Sequence, residues 1–290
     1  MITIQEIKNK LLSIDPSFAE SRIIAFLRHY FKKTGAKKAI IGVSGGIDSS
    51  VVLALAVKAL GKERVIAVLM PYEGITPEQD IRDAKELISM LDVNYVEISI
   101  NGVVKIFENK LVGRGINLSK VARGNILARV RMVLLYAIAN SEEGLVMGSS
   151  DKSELLLGYF TKYGDGGVDL LPIGDLYKTQ VRLLGRHLGI PEKIVNKPSS
   201  PGLWKNHMAE EELGAKYEVI DPILYALVDL KISPDRILEI EGIPKDLAKE
   251  VISRVFMNEH KRSFPIIPKI SKGMTIGYDW RYPVLGSFPL

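Results

Sequence analysis

The sequence predicts an α/β protein with a doubly wound parallel sheet flanked by helices and a helical C-terminal portion. Over roughly the first 150 residues, short apolar runs alternate with longer segments of helical composition. Turn-forming glycine, serine or proline residues bound most of these runs. Strands that alternate with helices typically form a parallel sheet with helices on both faces.

Four strands are expected in this first part of the chain, over residues 38–43, 64–70, 94–100 and 144–148. The runs at 38–43 and 64–70 are typical of buried strands, whereas 94–100 is of alternating or apolar type. Helices are expected over 17–33, 48–60, 77–91 and about 119–140, with Pro77 in a first-turn position.

The rest of the chain differs from this first part in amino-acid composition. Residues 158–176 are dense in glycine and aspartate, and 196–207 form a loop rich in proline, serine and glycine. A helix is expected over 180–188, a run of helices over 208–262, and a Pro-rich irregular segment over 263–290. No internal repeat or clear linker is visible, so we expect a single domain over residues 1–290.

Composition and charge exclude several classes of protein. The chain has 39 Lys and Arg residues against 34 Asp and Glu, a net charge of +5, without the dense basic stripe of a dedicated nucleic-acid binder. It contains no cysteine, which excludes disulfides, thiolate metal sites and a cysteine nucleophile. The longest apolar runs, 51–57 and 133–139, are too short to span a membrane. The N-terminal segment lacks a signal-peptide core. We therefore expect a cytoplasmic protein with neither nucleic acid nor membrane as partner.

The strongest motif is the 42–50 segment (GVSGGIDSS), which lies between a predicted strand and a predicted helix. Its paired glycines allow a tight turn that brings backbone N–H groups close to a ligand. The following helix directs its free N–H groups and positive dipole end at the same place, and the serines add hydroxyl donors. Together these features predict a phosphate-binding loop.

The spacing excludes two common phosphate loops. A Walker loop requires a lysine that this segment lacks, and the dinucleotide fingerprint requires a different glycine spacing. Asp48 stands where the Walker lysine is expected. A carboxylate repels bare phosphate, so Mg²⁺ between the two is the interpretation that we favour. The alternative is an ordinary Ser/Gly turn with Asp48 as the helix N-cap.

The 44–49 segment (SGGIDS) resembles the pyrophosphate loop of the ATP-pyrophosphatase superfamily, whose members cleave ATP between its α- and β-phosphates. Residues 158–172 (GYFTKYGDGGVDLLP) resemble the characteristic segment of NAD synthetases. The 259–262 segment (EHKR) matches the closing motif of that family, and 197–204 (KPSSPGLW) resembles its mobile loop. The likeness covers roughly residues 20 to 265 and favours the ammonia-dependent NAD synthetases.

The resemblance implies an adenine nucleotide α-hydrolase-like fold and a set of site residues. Asp48 and Glu154 would hold Mg²⁺ and, with Lys178, form the catalytic group. The residues that would bind ATP are Gly42, Val43, Ser44, Gly45, Gly46, Ile47, Asp48, Ser49, Ser149, Lys178 and Ser200. Those that would contact deamido-NAD are Arg129, Lys162, Asp169, His260 and Lys261. Ser149 and Ser200 depart from the family pattern, which has threonine at both places. Arg131 is a close alternative to Arg129.

The resemblance also implies the reaction, in which deamido-NAD is adenylated by ATP and then amidated to NAD, the final step of NAD biosynthesis. Because the chain has no cysteine nucleophile for a glutaminase, free ammonia is the expected nitrogen donor. Asp165 and Asp169 are candidates for the group that takes a proton from ammonium. The family implies a homodimer, and the loops at 72–80 and 196–207 have the composition of lids.

Other interpretations remain open for single residues and for the whole chain. Glu154 and Lys178 could be solvated helix residues, and His260 and Lys261 could simply favour a helix end. The apolar 130–139 segment fits either a buried core or a dimer seam. The competing functions are a tRNA-modifying ATP pyrophosphatase, which salt-sensitive tRNA binding would support, and a nucleotide-sensing module without catalysis.

Overall fold

A computed structural model describes residues 2–270 and 272–277 of the chain. Four parallel strands form one sheet in the order β3-β2-β1-β4. They are β1 (Lys38–Gly42), β2 (Val65–Leu69), β3 (Asn94–Glu97) and β4 (Gly144–Met147). The four predicted strands and their parallel arrangement are therefore confirmed, each somewhat shorter than predicted. β3 lies at an edge of the sheet and its residues are exposed, so it is not a buried strand.

Helices surround the sheet and make up the C-terminal portion. They are α1 (Ile4–Leu12), α2 (Pro16–Thr34), α3 (Ile47–Leu60), α4 (Glu78–Met90), α5 (Asn101–Val112), α6 (Lys120–Ser141), α7 (Lys152–Leu157), α8 (Lys178–His187), α9 (Glu192–Val195), α10 (Ala209–Glu212), α11 (Tyr217–Val228), α12 (Pro234–Ile237), α13 (Lys245–Met257) and α14 (Glu259–Arg262). The helices predicted in both halves of the chain are confirmed. Pro77 is the N-cap of α4 and not a first-turn residue, because its backbone is extended.

The two faces of the sheet have separate apolar cores. α2, α3 and α8 cover one face, where the apolar residues of α3 are buried on nearly every side. α6 packs on β1 and β4 at the opposite face, with α5 beside it. This two-sided cover explains why the central strands are apolar on both faces.

The C-terminal helices have a core of their own, which also includes the first helix of the chain. Ile7 and Leu11 of α1 pack among apolar residues of α11 and α13. Gln180 of α8 donates from Nε2 to the Leu11 carbonyl at 2.8 Å, which ties this core to the sheet. The segment predicted to be irregular over 263–290 carries no helix where it is described, and its remainder lies outside the described residues. Within 2–270 and 272–277, no helix combines the length and apolarity of a membrane span.

Strand order creates a crevice at one end of the sheet. From β1 the chain proceeds to β2 on one side, whereas β4 is added later on the other side of β1. The strand order therefore reverses at β1, and the crevice outside the carboxyl ends of β1 and β4 is where ligands bind in sheets of this kind. Residues 43–49 follow β1 and residues 148–154 follow β4, so the two predicted parts of the site meet there.

Candidate active site

The glycine loop, residues 42–49, turns the chain sharply from β1 into α3. Gly45 has φ +81°, a backbone conformation that favours glycine. α3 begins at Ile47 with Gly46 as its N-cap, and a glycine has no side chain to occupy the N–H groups of the first turn. Those groups are therefore available for a ligand. Asp48 lies inside the first turn, so the alternative in which Asp48 is the N-cap is wrong.

The serine hydroxyls hold the glycine loop in shape. Ser44 Oγ lies 3.1 Å from Ser49 Oγ and accepts from the Gly46 N–H at 3.3 Å. Ser50 Oγ donates to the Gly46 carbonyl at 2.7 Å. Ser49 and Ser50 are buried, whereas Ser44 is exposed. Ser44 is thus the loop hydroxyl most open to a ligand, and the other two brace the turn.

Lys178 lies at the centre of three carboxylates beside the glycine loop. Its Nζ is 2.5 Å from Asp48 Oδ2, 2.9 Å from Glu154 Oε1 and 3.0 Å from Asp151 Oδ2. Lys178 and Asp151 are fully buried, and the other two side chains are partly accessible. The structure therefore brings together the three predicted catalytic residues and adds Asp151, which the sequence reasoning missed.

Burial and the neighbouring charges shift the pKa values of Asp151, Glu154 and Lys178. Burial raises the pKa of Asp151 to about 7 and the pKa of Glu154 well above its usual range, and Asp48 adds to both shifts. Burial alone lowers the pKa of Lys178, but the carboxylates outweigh it and raise that pKa well above its usual value. Lys178 therefore stays positively charged, and its charge opposes the rise in the pKa of both buried carboxyl groups.

Two helix starts fix the cluster in place. Asp151 is the N-cap of α7 and accepts from the Glu154 N–H at 2.8 Å, in a capping box. Asp221 of α11 accepts from Ser153 Oγ at 2.6 Å and from the Thr179 N–H at 2.8 Å. Asp221 thereby joins the start of α7, which carries Glu154, to the start of α8, which carries Lys178.

The donor set fits a magnesium ion held by Asp48 and Glu154. Asp48 Oδ1 is buried and has no hydrogen-bond partner among the described residues. Mg²⁺ binds carboxylate oxygens and is commonly held by one or two carboxylates together with substrate phosphates. Over residues 2–270 and 272–277 there is no group of three or more side chains arranged to hold a metal by themselves. An ion at Asp48 would thus depend on ligand oxygens as well.

A cavity of about 370 Å³ opens beside the glycine loop. Its wall includes Gly42, Val43 and Ser44 from the end of β1 and Ser149 from the end of β4, so predicted residues from both strand ends face it. Segments of both predicted lid loops, at Thr76–Pro77 and Pro201–Trp204, also line it. The cavity is therefore bounded by the sheet edge on one side and by the predicted lids on others.

Charged side chains also line the cavity away from the glycine loop, among them Arg131, Asp165 and Lys261. Arg131 donates from Nε to the Met70 carbonyl at 3.2 Å, and burial lowers its pKa to about 10. The surrounding walls desolvate Asp165 and raise its pKa, although the Thr161 N–H opposes the shift. Lys261 donates to the Gly158 carbonyl at 2.5 Å. Arg131 remains a cation at neutral pH and can meet an anionic ligand.

The other predicted site residues do not line this cavity in the described part of the chain. Arg129 is exposed and donates to the Lys162 carbonyl at 3.3 Å, and Lys162 donates to the His260 carbonyl at 2.7 Å. Asp169 accepts from the Val146 N–H at 2.8 Å. Arg129, Lys162 and His260 thus form a chain of contacts outside the cavity lining, and Asp169 is bound separately to β4.

Ser200 is exposed within the 196–207 loop, and its Oγ accepts from the Gly202 N–H at 3.2 Å. The hydroxyl therefore supports a local turn in this structure. Its neighbours in sequence, Pro201 and Gly202, are the residues of this turn that reach the cavity.

A buried histidine in the cavity wall was not predicted. His207 Nε2 lies 2.6 Å from Glu212 Oε2, and the ring stacks on Trp204 with 3.4 Å between centroids. Tyr159 Oη donates to the same Glu212 oxygen at 2.8 Å. Burial lowers the pKa of His207 although Glu212 opposes this. No sequence signal marks these residues, because their contacts form only after folding.

Fold and site together define an α/β protein of the nucleotide-binding kind, with a glycine-rich loop at a helix N-terminus and a carboxylate–lysine cluster at the carboxyl end of a parallel sheet. A family model for NAD synthase matches residues 20–265, and the chain belongs to that family.

Relatives and solved structures agree with this assignment. The NH(3)-dependent NAD(+) synthetase of Hyperthermus butylicus is 49% identical over 260 residues, which cover 90% of this chain and 93% of that protein. The NH3-dependent NAD synthetase structure from Campylobacter jejuni has a TM-score of 0.74 at 32% identity, covering 88% of this chain and 100% of that one. The NMN synthetase structure from Francisella tularensis has a TM-score of 0.78 at 32% identity, covering 89% and 100%.

Proposed function

We propose that this protein is an ammonia-dependent NAD synthetase, which converts deamido-NAD, ATP and ammonia into NAD, AMP and pyrophosphate. The observation that carries the proposal is the glycine loop at the start of α3, beside the Asp48–Glu154–Lys178 cluster. The relatives named NH(3)-dependent NAD(+) synthetase support the same activity. The chain has no cysteine to serve as a glutaminase nucleophile, in keeping with ammonia as the donor.

ATP binds with its phosphates at the glycine loop and with Ser149 in the adjoining wall. The N–H groups at the start of α3 and the Ser44 hydroxyl donate to the outer phosphate oxygens. Lys178 stays charged in its buried position and offsets the negative charge of the phosphates. Ser200 contributes from the 196–207 loop if its local turn changes when the nucleotide binds.

Asp48 and Glu154 hold Mg²⁺ in this proposal. The free Asp48 Oδ1 and the partly accessible Glu154 carboxylate support that assignment. The ion, when bound, neutralises phosphate charge and polarises the phosphoryl oxygens. Lys178 keeps the two carboxylates at the mouth of the glycine loop by its ion pairs with both.

In the first step, the nicotinate carboxylate of deamido-NAD attacks the α-phosphorus of ATP. A bond forms between the carboxylate oxygen and the α-phosphorus. The bond from that phosphorus to the α–β bridging oxygen breaks, and the pyrophosphate that leaves stays bound at the glycine loop. The protein contributes by holding the two reactants in line and by meeting the negative charge. Arg131 and Lys261 in the cavity wall, and Lys162 outside it, supply cations for the dinucleotide.

In the second step, ammonia attacks the activated carbonyl carbon, the bond to the AMP oxygen breaks, and the amide forms. A proton must leave the nitrogen. Asp165 suits this role because it lines the cavity and its pKa is raised, so it binds a proton more readily than an ordinary aspartate. Asp169 is the weaker candidate, because it does not line the cavity.

Water must be kept from the acyl-adenylate during this sequence. The 196–207 segment covers one side of the cavity, where Trp204 stacks on His207 and lies under the Lys120 ammonium at 4.4 Å. The 72–80 segment bounds another side. Both are suited to serve as lids.

A homodimer is part of the proposal. Several large apolar side chains of α5 are exposed, among them Val103, Ile106 and Phe107. Val133 on α6 is 59% exposed, and Arg129 lies four residues earlier on the same face of that helix. A second copy that covers Val133 would place the Arg129 of this chain at the subunit boundary, where it could contact deamido-NAD.

We also propose one domain over residues 1–290 and a cytoplasmic location. α1 at one end of the chain packs in the core of the C-terminal helices, and α8 joins that core to the sheet, which supports a single domain. The cytoplasmic location follows from ATP as a co-substrate.

The test is a product assay on the purified chain with Mg²⁺, ATP, deamido-NAD and ammonium. NAD, AMP and pyrophosphate are expected in equal amounts, and omission of any component should stop all three. Glutamine in place of ammonium should give no turnover above background. Nicotinic acid mononucleotide replaces deamido-NAD in a parallel assay, because one similar structure is an NMN synthetase. Equal turnover of the mononucleotide would contradict the proposed substrate, and equal rates with glutamine would contradict the proposed nitrogen donor.

A further inference from the structure

Lys197, the residue that precedes the prolines of the 196–207 loop, joins three segments around the glycine loop. Its Nζ donates to the Gly45 carbonyl at 2.9 Å, to Asp80 Oδ1 at 2.8 Å and to Asp83 Oδ2 at 2.6 Å. Gly45 belongs to the glycine loop, and the two carboxylates belong to the first half of α4. One ammonium, carried by the 196–207 loop, thus contacts both the glycine loop and the first half of α4.

The glycine loop and α4 are packed in direct backbone contact at this point. A Cβ added to Gly45 would lie 2.2 Å from the Asp80 carbonyl oxygen, so no larger residue fits. Asp83 is almost fully buried. Burial raises its pKa, but hydrogen bonds from Lys197, Gln79 and Lys193 outweigh burial and lower it. Asp83 is therefore a fixed negative charge that holds the Lys197 ammonium against the loop.

The contact with the Gly45 carbonyl sets the direction of a neighbouring N–H. The peptide between Gly45 and Gly46 is planar and trans, so its C=O and N–H point in opposite directions. With the carbonyl held by Lys197, the Gly46 N–H is turned towards Ser44 Oγ, which accepts it at 3.3 Å. Gly46 is also the N-cap of α3, where a phosphate would receive its hydrogen bonds.

We propose that Lys197 is a positioning residue for the phosphates of ATP, which acts by fixing the peptide plane between Gly45 and Gly46. The proposal rests on the proposed function, because it assigns the glycine loop to ATP and pyrophosphate. Lys197 touches the loop from the side of α4 and acts on the nucleotide only through the loop backbone. The same contact links the position of the 196–207 loop to the shape of the phosphate site.

Lys193 provides a matched control, because it pairs with the same carboxylate without touching the loop. Its Nζ lies 3.2 Å from Asp83 Oδ1 and also pairs with Glu86. The test compares Lys197→Met with Lys193→Met in the full enzyme. Two quantities are measured for each: the dissociation constant for pyrophosphate by titration calorimetry with Mg²⁺, and the KM values for ATP and deamido-NAD.

Lys197→Met should weaken pyrophosphate binding and raise the KM for ATP by about tenfold, since a charge-assisted hydrogen bond that shapes the loop is lost. The KM for deamido-NAD should stay within about twofold, and Lys193→Met should stay within about twofold in all three measurements. If the wild-type protein is active and the two variants show the same pyrophosphate affinity and KM values, the proposal is overturned and the proposed function stands. A wild-type protein without pyrophosphate-releasing activity would instead overturn the proposed function.

A double variant separates loop positioning from stability. Lys197→Met alone leaves the buried Asp83 with fewer partners and could unfold the protein. Lys197→Met with Asp83→Asn removes the cation and the buried charge together, so the fold should be retained while the Gly45 carbonyl loses its donor. The proposal expects the double variant to keep the tenfold defect for pyrophosphate and ATP. Wild-type affinity for pyrophosphate in the folded double variant would overturn it.

Discussion

Replacement of Lys178 by methionine tests whether the buried cluster is held together by one cation. The lysine is fully buried between Asp48, Asp151 and Glu154, so its removal leaves carboxylates without their counter-charge. Breaking a buried ion pair by removing one partner costs about 3–5 kcal/mol of stability. Urea unfolding followed by tryptophan fluorescence at pH 8 should therefore show a loss of about that size.

The pH dependence of this loss has a defined sign. In the wild-type protein, burial raises the pKa of Asp151 to about 7, so the folded state holds a proton that the unfolded state releases. Stability therefore falls as pH rises from about 4 through 7. Without Lys178 the pKa values of Asp151 and Glu154 rise further. The variant should thus lose more stability at pH 8 than at pH 5.

Two further variants control for this effect. Lys152→Met removes a neighbouring lysine whose partners, Asp175 and Asp229, are 97% and 32% exposed, and it should cost no more than about 1 kcal/mol. Lys178→Met with Asp151→Asn should recover part of the lost stability, because one uncompensated charge is gone. A Lys178→Met protein as stable as Lys152→Met at pH 8, or one that gains stability with rising pH, would refute the reasoning.

Three other predictions concern the metal, the lid and the dimer. Asp48→Asn should lower the rate of pyrophosphate release at least about a hundredfold because a Mg²⁺ ligand is lost; full activity would remove Asp48 from the metal site. Gly124→Ala places a Cβ 2.8 Å from Leu203 Cβ and should loosen the 196–207 loop, seen as faster proteolytic cleavage there, whereas an unchanged rate would contradict the packing. Val133→Glu should convert a dimer into a monomer by light scattering, and a monomeric wild type would contradict the proposed interface.

Local patterns were sufficient to predict the sheet and the glycine loop. Short apolar strands and a loop with two adjacent glycines are determined by residues close together in the sequence, so the local sequence pattern reveals them. α5 was not predicted because its sequence begins with Asn101-Gly102, a pair that normally signals a turn.

Contacts between distant segments could not be predicted. Asp221 meets Ser153 across 68 residues, and Lys197 meets Gly45 across 152. Asp151 carried a recognisable local signal, since an aspartate three residues before Glu154 is the spacing of a capping box. The local spacing gives the cap, but only the fold places Asp151 against Lys178.

The choice between Arg129 and Arg131 shows where helix periodicity fails. Two positions apart on a helix, these residues point to nearly opposite sides. Polar and apolar residues of α6 are spread around the helix, so its sequence does not indicate which side faces the ligand. The fold turns Arg131 into the cavity wall and leaves Arg129 exposed.

The most direct test of the central claim follows the oxygen atoms of the substrate carboxylate. Deamido-NAD labelled with ¹⁸O in its nicotinate carboxylate is converted with ATP and ammonium, and the nucleotide product is analysed by mass spectrometry. If the glycine loop retains the outer two phosphates while the α-phosphate passes to the carboxylate, the product is AMP that carries one ¹⁸O atom. Formation of ADP, or of AMP without the label, would contradict the account.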